Sequence, residues 1–109
     1  MLVSTREGFR HLTLGNTAFI LHATADGRPV PSLPEPAISL ARIAALVALD
    51  APPSAYRAAV EAARRTGARD EDLLALLASL IDVVGSARVI SAAPRIALAA
   101  GYDAEAALE

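Results

Sequence analysis

Between residues 73 and 84 nearly every position is apolar: Leu73, Leu74, Leu76, Leu77, Leu80, Ile81, Val83 and Val84, with small Ala75, Ala78 and Ser79 between them. Asp82 is the one charge. A helix apolar on nearly every side must be covered on nearly every side. A domain this small has few helices to supply that cover, so the pattern predicts partner subunits. The neighbouring segments are patterned more conventionally. Residues 54–66 place Tyr56, Ala59, Val60 and Ala63 on one helical face and Arg57, Glu61 and Arg65 on another, with Glu61 and Arg65 spaced to pair along the helix. Residues 37–49 are apolar almost all round from Ile43 onward, with Pro36 suited to the first turn and Asp50 and Pro52-Pro53 stopping the helix. A last long helix over 86–100 carries Arg88, Ser91 and Arg95 on one stripe and Val89, Ile90, Ala93, Ile96 and Ala97 around the other side, and Pro94 predicts a kink there.

Punctuation residues mark the ends of these elements. Gly67, Gly85 and Gly101 each follow a helical run, and Asp70, Glu71 and Asp72 set negative charge at the positive end of a helix dipole. Asp70 is the expected cap of that helix, and Asp103 of a final turn over 104–108. Upstream, Ser4 and Glu7 have capping-box spacing for a short helix ending at Leu14-Gly15. Asn16 is placed to cap a second helix through about Ala23. Asp26-Gly27 and four prolines, at 29, 31, 34 and 36, then hold the chain extended. The expected organisation is an N-terminal helical arm over 1–24, a Pro-rich linker over 25–36 and a helical core over 37–109.

Composition narrows the fold further. The chain has 109 residues, 54% of them hydrophobic but only 4% aromatic, so its core rests on Leu, Ile, Val and abundant Ala. Alanine is the best helix former, and the fold class expected is all-α: a two-helix arm and three or four core helices around an antiparallel hairpin. A net charge of −2 implies no polyanion partner, and Arg64-Arg65 without interleaved aromatics is no nucleic-acid patch. With no cysteine anywhere, disulfides, thiolate catalysis and Cys-ligated metals are excluded. The first residues carry Arg6, Glu7 and Arg10 where a signal peptide needs an apolar run, and no apolar run approaches the roughly 20 residues of a membrane span. Cytoplasm is therefore the expected compartment, with no membrane partner.

The glycines and their surroundings are together similar to the carboxymuconolactone decarboxylase family, the all-helical group that also holds the alkylhydroperoxidase D-like proteins. The resemblance rests on Gly67-Ala68-Arg69 with Asp72 three residues on, and on Val84-Gly85 through Ala93-Pro94 to Gly101-Tyr102-Asp103. It covers 37–108 well and the arm only loosely, through 12–19. It implies assembly as trimers or hexamers. It also implies a His eight residues before the helix-ending Gly and, in the alkylhydroperoxidase D-like branch, a CxxC pair upstream of that His. Here the His position falls on Ala59 and the two Cys positions on Pro52 and Ala55. Thiol peroxidase chemistry needs a thiolate and a resolving thiol, so it is excluded. Decarboxylation of a lactone needs proton transfer and enolate stabilisation from other groups.

Four residues are candidates for that work, each with a plain structural alternative. Tyr56, on the core side of its helix, is either a proton donor or core filling. Asp82, on an apolar helix, is either an acid–base group of raised pKa or a solvated or arginine-paired carboxylate. Arg42 and Arg88, with Arg95, are either carboxylate or lactone binders or partners in inter-subunit ion pairs with Asp82 or Glu61. His11 and His22 both lie in the arm without an acidic cluster, so no metal is expected, nor any other cofactor. Two functions follow: a non-catalytic oligomeric binding or accessory protein, or a lyase or isomerase acting on a small carboxylate or lactone in a pocket between subunits. A homo-trimer or homo-hexamer and a possible small-molecule ligand are the partners expected.

Overall fold

The computed structural model describes residues 2–24, 27 and 29–102, and these residues are helical with turns between. Six helices run in the order α1 (Thr5–Thr13), α2 (Thr17–Ala23), α3 (Glu35–Ala48), α4 (Pro53–Arg65), α5 (Asp70–Val84) and α6 (Ser86–Ala99). The chain divides into two compact units, Met1–Leu33 and Pro34–Glu109. The expected final turn over 104–108 and its cap Asp103 lie outside the described residues.

The first unit is a pair of capped short helices. Ser4 Oγ accepts from the Glu7 amide at 3.2 Å and Asn16 Oδ1 accepts from the Phe19 amide at 3.1 Å, so each short helix starts on the expected cap. The reciprocal half of the first capping box is absent among the described residues; Glu7 instead lies 3.6 Å from His11 and 3.8 Å from Arg10. His11 stacks on Phe19 with ring centroids 4.8 Å apart.

The second unit is a four-helix core. α3 packs on α4, α5 and α6, and α6 packs on α4 and α5. Its interior is Ile43 and Val47 from α3, Tyr56, Val60 and Ala63 from α4, Leu73 and Leu77 from α5, and Val89, Ala92 and Ile96 from α6. These positions recur at three- and four-residue spacing, which is why single faces of four helices meet along one axis. α3 begins two residues earlier than its apolar pattern, because Glu35 and Pro36 fit a first turn whose amides need no partner. α4 begins on Pro53 for the same reason. α5 begins at Asp70, well before its apolar run.

The expected cap of α5 is corrected. The Arg69 amide donates to Asp72 Oδ2 at 2.8 Å, so Asp72 satisfies the helix start, while Asp70 turns to Arg64 and Tyr102. The Glu61–Arg65 pair is likewise absent among the described residues. α6 stays helical through Pro94.

A single residue, Gly85, ends α5 and starts α6. Its φ of 90° and ψ of 153° fall in a region that essentially only glycine occupies. The open space around it means that a methyl group there would meet no neighbour, so the cost of substitution lies in the backbone alone. The reversal makes α5 and α6 antiparallel and brings the start of α5 to the end of α6. Gly85→Ala is expected to lower stability by about 1–3 kcal/mol, read as a fall in the urea midpoint at unchanged slope.

Candidate functional site

The turn between α3 and α4 gathers the polar groups nearest to Pro52, Ala55 and Ala59. α3 ends in a left-handed residue: Asp50 has φ 52°, with its amide on Val47 O at 3.1 Å and the Ala51 amide on Leu46 O at 3.0 Å. Glycine is the usual occupant of that slot, and aspartate tolerates it. Here the side chain earns a use. Ser91 Oγ donates to Asp50 Oδ1 at 3.0 Å, and the Arg95 guanidinium lies 3.5 Å from the same oxygen while donating to Ala51 O at 2.7 Å. Two positions of the α6 stripe are thereby tied to the turn.

Tyr56 sits beside this cluster, wholly enclosed. Its hydroxyl is buried without a hydrogen-bond partner among the described residues. Burial pushes the phenol above its ordinary value; the Arg95 charge opposes this and the Asp50 charge adds to it. The phenol is therefore a neutral donor at any ordinary pH and cannot serve as a base. Ala55 and Ala59 are half-buried against the core.

The other three candidates stand apart. Arg42 on α3, Asp82 on α5 and Arg88 on α6 are all exposed. No hydrogen bond or ion pair among the described residues joins any two of the four candidates. The groups that do converge, Asp50, Ser91 and Arg95, were legible only in part: the α6 stripe of Arg88, Ser91 and Arg95 is visible in the sequence, but Asp50 reads there as a helix stop.

A second feature lies between α5 and α6. An open cavity of about 760 Å³ is lined by Leu73, Leu74, Leu77, Pro94, Ile96 and Ala97, with Asp70, Glu71 and Tyr102 at one end. Asp70 organises that end. Its Oδ1 accepts from Arg64 at 2.7 Å, its Oδ2 accepts from the Tyr102 hydroxyl at 2.7 Å, and the same Arg64 donates to Ala100 O at 2.7 Å. The Arg64 and Tyr102 hydrogen bonds hold the Asp70 carboxyl below its usual range, and the bond to Asp70 raises the Tyr102 phenol. Among the described residues no group of three His, Asp or Glu side chains is placed to hold a metal, and no helix is long and apolar enough to cross a membrane.

An all-helical unit of this layout, in a chain without a cysteine, defines a small helical scaffold. The family profile of the carboxymuconolactone decarboxylases matches residues 16–99, most of the chain, and the protein belongs to that family. Neither the curated proteins nor the solved structures contain a significant match.

Two outcomes follow from these geometries. Asp70, with its depressed pKa, contributes stability that is present above the ordinary carboxyl range and lost as pH falls through its folded value. The stability difference between wild type and Asp70→Asn is thus expected to shrink steadily as pH is lowered from 6 towards 2.5 in urea titrations. Tyr56→Phe removes an enclosed hydroxyl that has no partner among the described residues, so stability at pH 7 is expected to stay level or rise by about 1 kcal/mol. A clear loss in chemical denaturation would mean that the hydroxyl is bonded.

Proposed function

We propose that this protein is a self-associating, non-catalytic binding or accessory member of its family, assembled as a homo-trimer or homo-hexamer. One observation carries the reading. The polar groups around the positions that the resemblance assigns to redox and proton transfer are already engaged with one another: Asp50 with Ser91 and Arg95, and Arg95 with Ala51 O. Tyr56 is enclosed beside them as a neutral phenol, and Pro52, Ala55 and Ala59 offer no titratable atom. Asp50, the carboxylate at that turn, is thus engaged by Ser91 and Arg95 rather than left to a substrate, and the Tyr56 hydroxyl beside it is enclosed.

The cavity between α5 and α6 supports a second reading, a lyase or isomerase on a small carboxylate or lactone. Its volume of about 760 Å³ falls in the range of small-molecule sites. None of Arg42, Tyr56, Asp82 and Arg88 lines that cavity; in that reading the exposed Arg42 and Arg88 of a neighbouring subunit bind the anion and its Asp82 transfers the proton, a role the enclosed Tyr56 could take only if the core opened.

Peroxide reduction with a thiol donor is expected at the no-protein background, and turnover above it overturns the proposal. A native mass spectrum of protein purified gently from a metabolite-rich host separates the two readings. A bare trimer or hexamer supports the accessory protein, whereas a stoichiometric small carboxylate or lactone adduct shows a ligand site, and turnover of that compound by the purified protein gives the site to the enzyme.

A further inference from the structure

In the first unit, the contacts around His11 fix both the proton on its ring and the start of α2. Asn16 Oδ1 accepts from the Phe19 amide at 3.1 Å, which caps α2 and settles which end of that side-chain amide is oxygen. The other end, Nδ2, lies 3.2 Å from His11 Nδ1. An amide nitrogen only donates, so Nδ1 is the accepting nitrogen and the ring proton sits on Nε2. That Nε2 faces Glu7 Oε2 at 3.6 Å. The ring also stacks on the buried Phe19, with planes 23° from parallel, which holds the imidazole against α2.

We propose that His11 is a proton-operated release for the cap of α2. A proton added at Nδ1 turns the accepting nitrogen into a donor, which then faces the donor Nδ2 of Asn16. Two donors cannot share that contact. Either the amide moves off the ring, or it turns over to offer Oδ1 to the imidazolium. A turned amide sets Nδ2 against the Phe19 amide, donor against donor, and the cap is lost. Stacking favours the second course, because a cation over the face of Phe19 is attracted to it and stays in place. Charge on the ring also strengthens its attraction to Glu7. The proton thus moves His11 from a partner at the cap of α2 to one on its own helix.

The other charged groups nearby leave this role to His11. On α1, Glu7 is the acid beside the ring, and Arg10 lies 3.8 Å from the same Glu7 oxygen, which tempers its pull on the imidazole. On α2 the titratable side chain is His22, exposed and about 9 Å along the helix from Asn16. Residues 29–33, which reach the arm through the bond from the Val3 amide to Pro29 O, carry none. The lost cap bond and the stronger Glu7 pair act in opposite directions on overall stability, and both are small at exposed positions. The release is therefore a local event at the start of α2.

The test is an NMR titration of the full chain from about pH 8 to about pH 5, the range in which imidazoles ordinarily change charge. Long-range proton–nitrogen spectra are expected to show His11 Nδ1 as the unprotonated nitrogen at the upper end. As the ring takes its second proton, the Phe19 amide proton is expected to move upfield with the same midpoint. Asn16→Asp offers an acceptor to each neighbour, so it is expected to abolish that movement and carry the His11 titration to higher pH. His11→Phe keeps a ring on Phe19 and is expected to leave the Phe19 amide flat across the range. The proposal is overturned by a neutral ring protonated at Nδ1, or by a Phe19 amide that ignores the His11 titration. It is equally overturned by a Phe19 amide that still moves in His11→Phe, or by an Asn16→Asp variant that titrates as the wild type does.

Discussion

Among the described residues Tyr56 is the largest side chain fully enclosed, and the core is fitted around it. The other residues of the enclosed apolar cluster are aliphatic, down to Ala51, Ala63, Ala92 and Ala100, and Ser39 on α3, bonded to Thr66, is the buried polar exception among the described residues. A core of such small volume closes only where helices approach closely, and the alanines of α4 and α6 permit that approach. The ring supplies the bulk that alanine lacks, at the point where α3, α4 and α6 converge. Enclosure then fixes its chemistry: the hydroxyl is cut off from water, so its proton stays on. Packing and reactivity are set by one placement.

Most of the architecture was legible in the sequence because it rests on local rules. The spacing of Tyr56, Val60 and Ala63 gives a buried face directly, and Ser4, Asn16 and Gly101 end or begin helices through hydrogen bonds within a few residues. Errors arose where a residue had two possible partners. Asp70 stands where a cap belongs, yet a carboxylate at that point can reach either the helix start or Arg64, and only the folded path of the chain brings Arg64 and Tyr102 to it. Glu61 and Arg65 have helical pairing distance but are both solvated, and such a pair is too weak to hold two flexible side chains together.

The site was less legible than the fold for a physical reason. A stripe on α6 can be drawn from the sequence, but which of its members finds a counter-charge depends on contacts between elements more than forty positions apart. Ser91 and Arg95 meet Asp50 across such a gap, while Arg88 on the same stripe has no hydrogen-bond or ion-pair partner among the described residues. Family membership adds the frame and leaves the occupant of each position to this chain alone. In this chain the frame carries no cysteine.

Asp50 has a mechanical consequence beyond its hydrogen bonds. Glycine in its place would ease the backbone but carry no side chain, and the turn between α3 and α4 would then be joined to α6 only through Arg95 and the Ala51 carbonyl. The carboxylate acts as a rivet, accepting a strained backbone to lock three helices at one point. α6 cannot peel away by itself without also loosening the hinge between the two helices it covers. Parting α6 from that turn thus breaks contacts to the ends of two helices at once, a junction in which α5 takes no part.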